Sequence, residues 1–160
     1  MALDVLIGTS GWSYDEWVGP FYPKGLRKED FLTFYSKVFF TNEINTTFYN
    51  IPSVKIVKSW DERTPKNFKF CAKLPKVITH EAQLEPNSSL NIVDYFLKAM
   101  QPLLDSGKIL AFLIQLPPFF KKEKNFADLK EFIEEWPLDY KREEPYLVIE
   151  FRDISWMTDE

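Results

Sequence analysis

The sequence predicts a parallel α/β fold, and three observations carry the prediction. Short apolar runs of strand length alternate with amphipathic stretches of helical spacing along the 160 residues. The runs are nearly continuous in apolar residues, as in strands covered on both faces, and Ile109-Leu110-Ala111-Phe112-Leu113-Ile114-Gln115 is the clearest. Several also end in polar residues. The run 39–45 closes with Glu43 and Asn45, a carboxylate and an amide that a dry core would not accept without partners. They fit a strand that opens onto a pocket, which places Glu43 at the mouth of a parallel-strand barrel, facing a ligand.

Taken in order, Val5-Leu6-Ile7 reads as a buried strand ended by the tight loop Gly8-Thr9-Ser10-Gly11. The loop 8–23 holds Trp12, Tyr14, Trp17, Phe21 and Tyr22, too aromatic for a solvated linker, so it covers something. Phe31, Phe34, Tyr35 and Val38 are spaced as one helix face. In the strand 39–45, Thr41, Glu43 and Asn45 share one face, and Phe40, Asn42 and Ile44 the other. Ser53 caps a helix whose stripe is Val54, Val57 and Trp60, and Pro65 stops it. Residues 68–73 alternate as a strand, and 76–89 form a polar loop with Thr79 and His80. A long helix over 90–106, bent at Pro102, ends on Gly107. The strand 109–115 runs into Pro117-Pro118, which cannot extend a ladder. A helix over 126–136 is stopped by Pro137, and 146–152 is the last strand.

Composition narrows the class. With 45% hydrophobic and 17% aromatic residues, the chain can bury one sizeable core, as a single domain over 1–160. No apolar run reaches the ~20 residues that span a bilayer, so no membrane partner is expected. The N-terminal residues lack the layout of a signal peptide, and the lone Cys71 suits a reducing compartment; both predict a cytoplasmic protein. A net charge of −4 argues against non-specific nucleic-acid binding. The charge is uneven, with 11 Lys/Arg against 5 Asp/Glu over 21–80 and 9 against 16 over 81–160. Such a split favours an anionic ligand on one side, or reflects only solvated helix faces. Gly8-Thr9-Ser10-Gly11-Trp12 lacks the spacing of a dinucleotide-binding loop, which lowers a Rossmann reading.

Ordered motifs then bring a resemblance. Gly8-Thr9-Ser10-Gly11-Trp12-Ser13-Tyr14, with Trp17-Val18-Gly19-Pro20-Phe21-Tyr22-Pro23, resembles the opening of the YecE-like family, also called domain of unknown function 72. Asn42-Glu43-Ile44-Asn45-Thr46-Thr47-Phe48-Tyr49 is similar to its second signature. Phe70-Cys71-Ala72-Lys73, Ile78-Thr79-His80, Gln115-Leu116-Pro117-Pro118 and Glu150-Phe151-Arg152 resemble the next four together with Ser155-Trp156. The resemblance implies a TIM-type (β/α) barrel with no established activity. Such a barrel takes roughly 250 residues and eight β/α units. About five strands and four helices are read here, so the expected fold is an incomplete barrel, the N-terminal portion of the family's. Its unpaired strand edges would invite association into an oligomer.

In barrels of this kind the C-terminal strand ends carry the site. Glu43 and Glu150 are the candidate acid/base or nucleophile pair, at about 5–5.5 Å for a retaining glycosidase or about 6.5–9.5 Å for an inverting one. Salt bridges to Lys73 and Arg152 that only hold shape are the alternative. Lys73 and Arg152 suit an anion, Lys73 also a Schiff base. Asn45 and Gln115 would orient the ligand, and Ser10, Trp12 and Tyr14 would close the ring from above, Trp12 and Tyr14 by stacking or as plain packing. His80, the sole histidine, is a general base or a local hydrogen-bonding residue. No cofactor is expected, although a divalent metal completed by other segments stays open, since one imidazole makes a weak site. The leading expectation is an acid/base hydrolase or lyase for a small anionic or sugar-like ligand. The alternatives are a non-catalytic nucleic-acid or anion-binding module, or an inactive barrel fragment.

Overall fold

The computed structural model describes residues 5–137 and 145–157. Five strands, β1 (Gly8–Ser10), β2 (Thr41–Ile44), β3 (Lys69–Lys73), β4 (Ile109–Gln115) and β5 (Tyr146–Glu150), form one sheet in the order β1-β2-β3-β4-β5. All four pairings are parallel. The helices between them are α1 (Phe31–Tyr35), α2 (Thr46–Tyr49), α3 (Val54–Glu62), α4 (Pro86–Asp105) and α5 (Lys122–Glu134). Sequential order is what a β/α barrel uses, whereas a doubly wound sheet reverses direction at a switch point. Among the described residues β1 and β5 each pair on one side only, so these five strands form an open sheet.

The alternation expected in β2 is present: Asn42 and Ile44 are buried, Thr41 and Glu43 half-buried. Phe70, Ala72, Phe112 and Ile114 continue the buried face, which packs with Val93, Phe96, Met100 and Phe132 of the helices. The opposite face carries Glu43, Cys71, Lys73, Leu113, Gln115, Val148 and Glu150 and is more open; Tyr146 and Val148 are 47% and 44% exposed. The polar side chains at the strand ends are therefore on the face that the helices do not cover.

Some expectations need correction. Val5-Leu6-Ile7 is not the buried first strand; Val5 and Ile7 are 76% and 67% exposed, and pairing starts at Gly8. Apolar identity marked the run, but burial needs neighbours on both faces, and β1 is an edge. Val38 lies beyond α1 and is half exposed. The polar loop is ordered: Val77–Glu81 makes one wide helical turn, and α4 starts at Pro86 with the Glu85 carboxylate accepting from the backbone N–H groups of Asn87 and Ser88. Gly107 does end α4. Its φ is +66°, and the N–H groups of Gly107 and Lys108 donate to Leu104 O and Leu103 O, closing a Schellman turn.

Candidate functional site

Each strand delivers one polar side chain from its C-terminal end, and these side chains form a continuous belt. Ser10 closes β1 opposite Glu43 of β2, and its hydroxyl donates to Glu43 Oε1 at 2.7 Å. Asn45 has left the strand to become the N-cap of α2, yet its Nδ2 donates to Ser10 Oγ. Lys73 Nζ lies 3.6 Å from Glu43 Oε1 and donates to Gln115 Oε1 at 3.2 Å. Gln115 Nε2 donates to Glu150 Oε2 at 2.6 Å, and Arg152 Nε to Glu150 Oε1 at 2.8 Å. Parallel register accounts for the order: Gln115 pairs with Glu150, and Lys73 precedes them on the adjoining strand.

Above the belt opens a cleft of about 630 Å³ lined by Tyr14, Asn45, Phe48, Tyr49, Lys73, His80, Gln115 and Arg152. Two cations and one imidazole thus share a cleft with two amides. Glu43, Glu150 and Ser10 contact Lys73, Gln115, Arg152 and Asn45 of this lining, and the Glu43 and Glu150 side chains are themselves 30% and 41% exposed. The two carboxylates do not face each other, since Lys73 and Gln115 stand between them. His80 comes from the turn after β3, with Nδ1 2.8 Å from Thr79 Oγ1 and its ring edge-on to Phe48 at 5.0 Å. Trp12 is held edge-on by Trp60 and Phe70 and is absent from the cleft wall; it lines a smaller recess beside it.

A sequence model of the family described as "Protein of unknown function DUF72" matches residues 6–160. The chain belongs to the DUF72 family. Among relatives, it is 35% identical over 116 residues to the UPF0759 protein YecE of Escherichia coli, covering 72% of this chain and 39% of that protein. It is 28% identical over 157 residues to the UPF0759 protein YunF of Bacillus subtilis, covering 96% and 52%. The crystal structure of a DUF72 family protein from Thermotoga maritima superposes with a TM-score of 0.79 at 30% identity, over 96% of this chain and 58% of that one. For a DUF72 family protein from Enterococcus faecalis the TM-score is 0.66 at 31% identity, over 80% and 50%. The chain thus spans about half the length of the relatives it matches.

Electrostatics separate the candidate roles in this DUF72 chain. Burial alone would push the Glu150 carboxyl up, but hydrogen bonds from Gln115 and Arg152, with the charges of Arg152 and Lys73, outweigh it and hold the group low. Glu150 is therefore a carboxylate at neutral pH, held by Gln115 and Arg152. Burial, then the positive charges of Arg152 and Lys73, lower His80 below 6.5, so the imidazole is neutral at pH 7. Burial, then the nearby Glu43, push the Cys71 thiol up and so disfavour the thiolate. Among the described residues no three His, Cys, Asp or Glu side chains group as a metal site, and no helix is long and apolar enough to cross a membrane.

The lowered His80 has a testable sign. The fold favours the neutral ring, so its contribution to stability is full above about 6.5 and lost as pH falls toward and through the folded value. Between pH 8 and 5 the thermal midpoint of the wild type should fall further than that of His80→Asn. Parallel curves would show that the fold does not shift the proton affinity of the ring.

Sequence reasoning missed Phe48 and Tyr49 as cleft residues. They sit on α2, a single turn whose Thr47 hydroxyl lies 2.8 Å and 2.7 Å from the carbonyls of Ile44 and Lys73. The only signal was Asn45-Thr46-Thr47 directly after the strand, a cap-like run too short for periodicity to reveal.

Proposed function

We propose that this DUF72 chain is the N-terminal part of a barrel-type acid/base enzyme, a hydrolase or lyase acting on a small anionic or sugar-like ligand. One observation carries the reading: Lys73, His80 and Arg152 line one cleft at the C-terminal strand ends, with Asn45 and Gln115 between them. Lys73 and Arg152 hold the anion, the two amides orient it, and neutral His80 takes the proton from the substrate or from a water. Glu43 and Glu150 are positioning residues, since each holds a cation or amide of the cleft wall by direct contact. Lys73 also lies 5.8 Å from the Phe48 ring centre, which helps keep its head in the cleft.

The test is a panel of phosphate esters, sugar lactones and small hydroxy acids presented to the full chain and to His80→Asn. Turnover is expected to fall about 100-fold or more in the variant, while inorganic phosphate affinity at pH 8 changes less than about twofold. Equal turnover in the two proteins would remove His80. Tight phosphate binding with no turnover anywhere on the panel would overturn the enzyme reading.

That last outcome would favour a non-catalytic module for anions or single-stranded nucleic acid, for which Tyr49 is the specific support. It is 67% exposed on the cleft wall, where a base could stack. An affinity for oligonucleotides that falls steeply with log salt concentration supports this second reading, and a flat response disfavours it.

A further inference from the structure

We propose that Thr79 is a positioning residue for His80: its hydroxyl accepts the Nδ1–H of the ring and so leaves an unprotonated Nε2 facing the cleft. The inference rests on the acid/base reading above and assigns the nitrogen at which the proton is taken.

Consecutive residues of an α-helix do not face each other, yet Thr79 Oγ1 and His80 Nδ1 are 2.8 Å apart. The wide turn Val77–Glu81 allows it, with the N–H of Ala82 reaching back to Val77 O. The chain closes that turn against its own preferences. Gln83 and Leu84 follow at φ of +51° and +65°, a region that residues with a side chain avoid. Leu84 is fixed there all the same, fully buried and with its N–H donating to Ile78 O at 3.0 Å. Strain kept next to a cleft residue marks a geometry that its surroundings impose.

Thr79 is fully buried and stands outside the cleft wall, whereas His80 is part of it. Nδ1 is therefore the inner nitrogen, and the side of the ring with Nε2 is turned to the cleft. Phe48, edge-on to the ring at 5.0 Å, steadies its plane. A hydroxyl can serve either end of the bond to Nδ1. Charge decides which. Lys73 and Arg152 are the charges that act on the ring, with Glu43 and Glu150 paired to them and Tyr14 and Tyr49 completing the titratable groups of the wall. Two cations favour a lone pair directed at them over an N–H. The neutral ring then carries its proton on Nδ1, where Thr79 accepts it. When Nε2 takes a proton from the substrate or a water, the Nδ1–H stays on Thr79 and neither side chain has to move.

His80 is the sole histidine, so nitrogen-15 labelling of histidine leaves one ring to read. Proton–nitrogen correlation spectra of the full chain at pH 8 should show Nδ1 protonated and Nε2 bare. In Thr79→Val an Nδ1–H would face a methyl group, so the proton should move to Nε2 in most molecules. On any member of the ester, lactone and hydroxy-acid panel that is turned over, Thr79→Val should lower kcat about tenfold or more at unchanged KM. Thr79→Ser keeps the hydroxyl and should stay within about threefold of wild type, with Nδ1 still protonated. A protonated Nε2 in the wild type overturns the proposal. So does Thr79→Val with the tautomer and kcat of the wild type. Should Thr79→Val misfold, the spectra of the wild type and of Thr79→Ser decide alone. Absence of turnover across the panel removes the enzyme reading, while the spectra still decide which nitrogen Thr79 holds.

Discussion

Replacing Lys108 with methionine should lower the stability of the chain by about 3 kcal/mol, the scale for removing one partner of a buried ion pair. For a chain of this size that is a fall in thermal midpoint of about 10 °C. Lys108 is 5% exposed, and its Nζ lies 2.8 Å from Asp61 Oδ1. It also donates to Asp61 O at 2.7 Å and Thr64 O at 2.9 Å, satisfying carbonyls where α3 ends. Its own backbone N–H closes the turn after α4, and its carbonyl accepts from Phe70 N of β3 at 2.7 Å. One residue thus ties two helix ends to the sheet, at the opposite end of β4 from the belt. Methionine fills the same space but takes the ammonium donor from the Thr64 and Asp61 carbonyls and the cation from a partly buried carboxylate. Burial would push Asp61 up, but hydrogen bonds from Lys108 and Ser106 and the Lys108 charge hold it low. Its contribution is therefore present above the unfolded value and lost as pH falls through the folded one, and the variant should lose that acid-sensitive part. A midpoint within about 2 °C of wild type would mean that water replaces the ammonium freely.

Lys73→Met should weaken inorganic phosphate binding about 100-fold, corresponding to loss of two charge-assisted hydrogen bonds at roughly 1.5 kcal/mol each. The Lys73 side chain is 12% exposed, so little water screens it from a ligand in the cleft. Its loss also frees the Gln115 amide to rotate and removes the cation beside Glu43. The exposed carboxylate then repels the anion that the lysine attracted. Calorimetric titration at low salt reads the effect, with the thermal midpoint as the control for folding. A dissociation constant within twofold of wild type would show that Arg152 alone holds the anion.

What the sequence made legible follows from how local each signal was. β4 was read with its observed bounds because an apolar run between Gly107 and Pro117 admits one interpretation. Side-chain parity put Glu43 on the open face because β2 alternates without a bulge. Asn45 was assigned to that face as a strand residue; it reaches Ser10 instead from a helical backbone, since the turn of α2 swings it back. The pairing of Glu43 with Glu150 could not be judged from spacing in the chain. It depends on which strands lie between them, and the intervening β3 and β4 supply Lys73 and Gln115. The tyrosine and phenylalanine of α2 stayed hidden for the same reason, because a one-turn helix is stabilised by hydrogen bonds to its surroundings rather than by its own pattern.

The belt has one more consequence. Glu43 and Glu150 offset Lys73 and Arg152 charge for charge, leaving the cleft formally neutral. A guest bearing two negative charges upsets that balance, and the nearest group able to restore it is the imidazole of His80, uncharged until then. Occupancy should therefore make the ring a stronger acceptor, and the proton it takes in the reaction is what evens the charge.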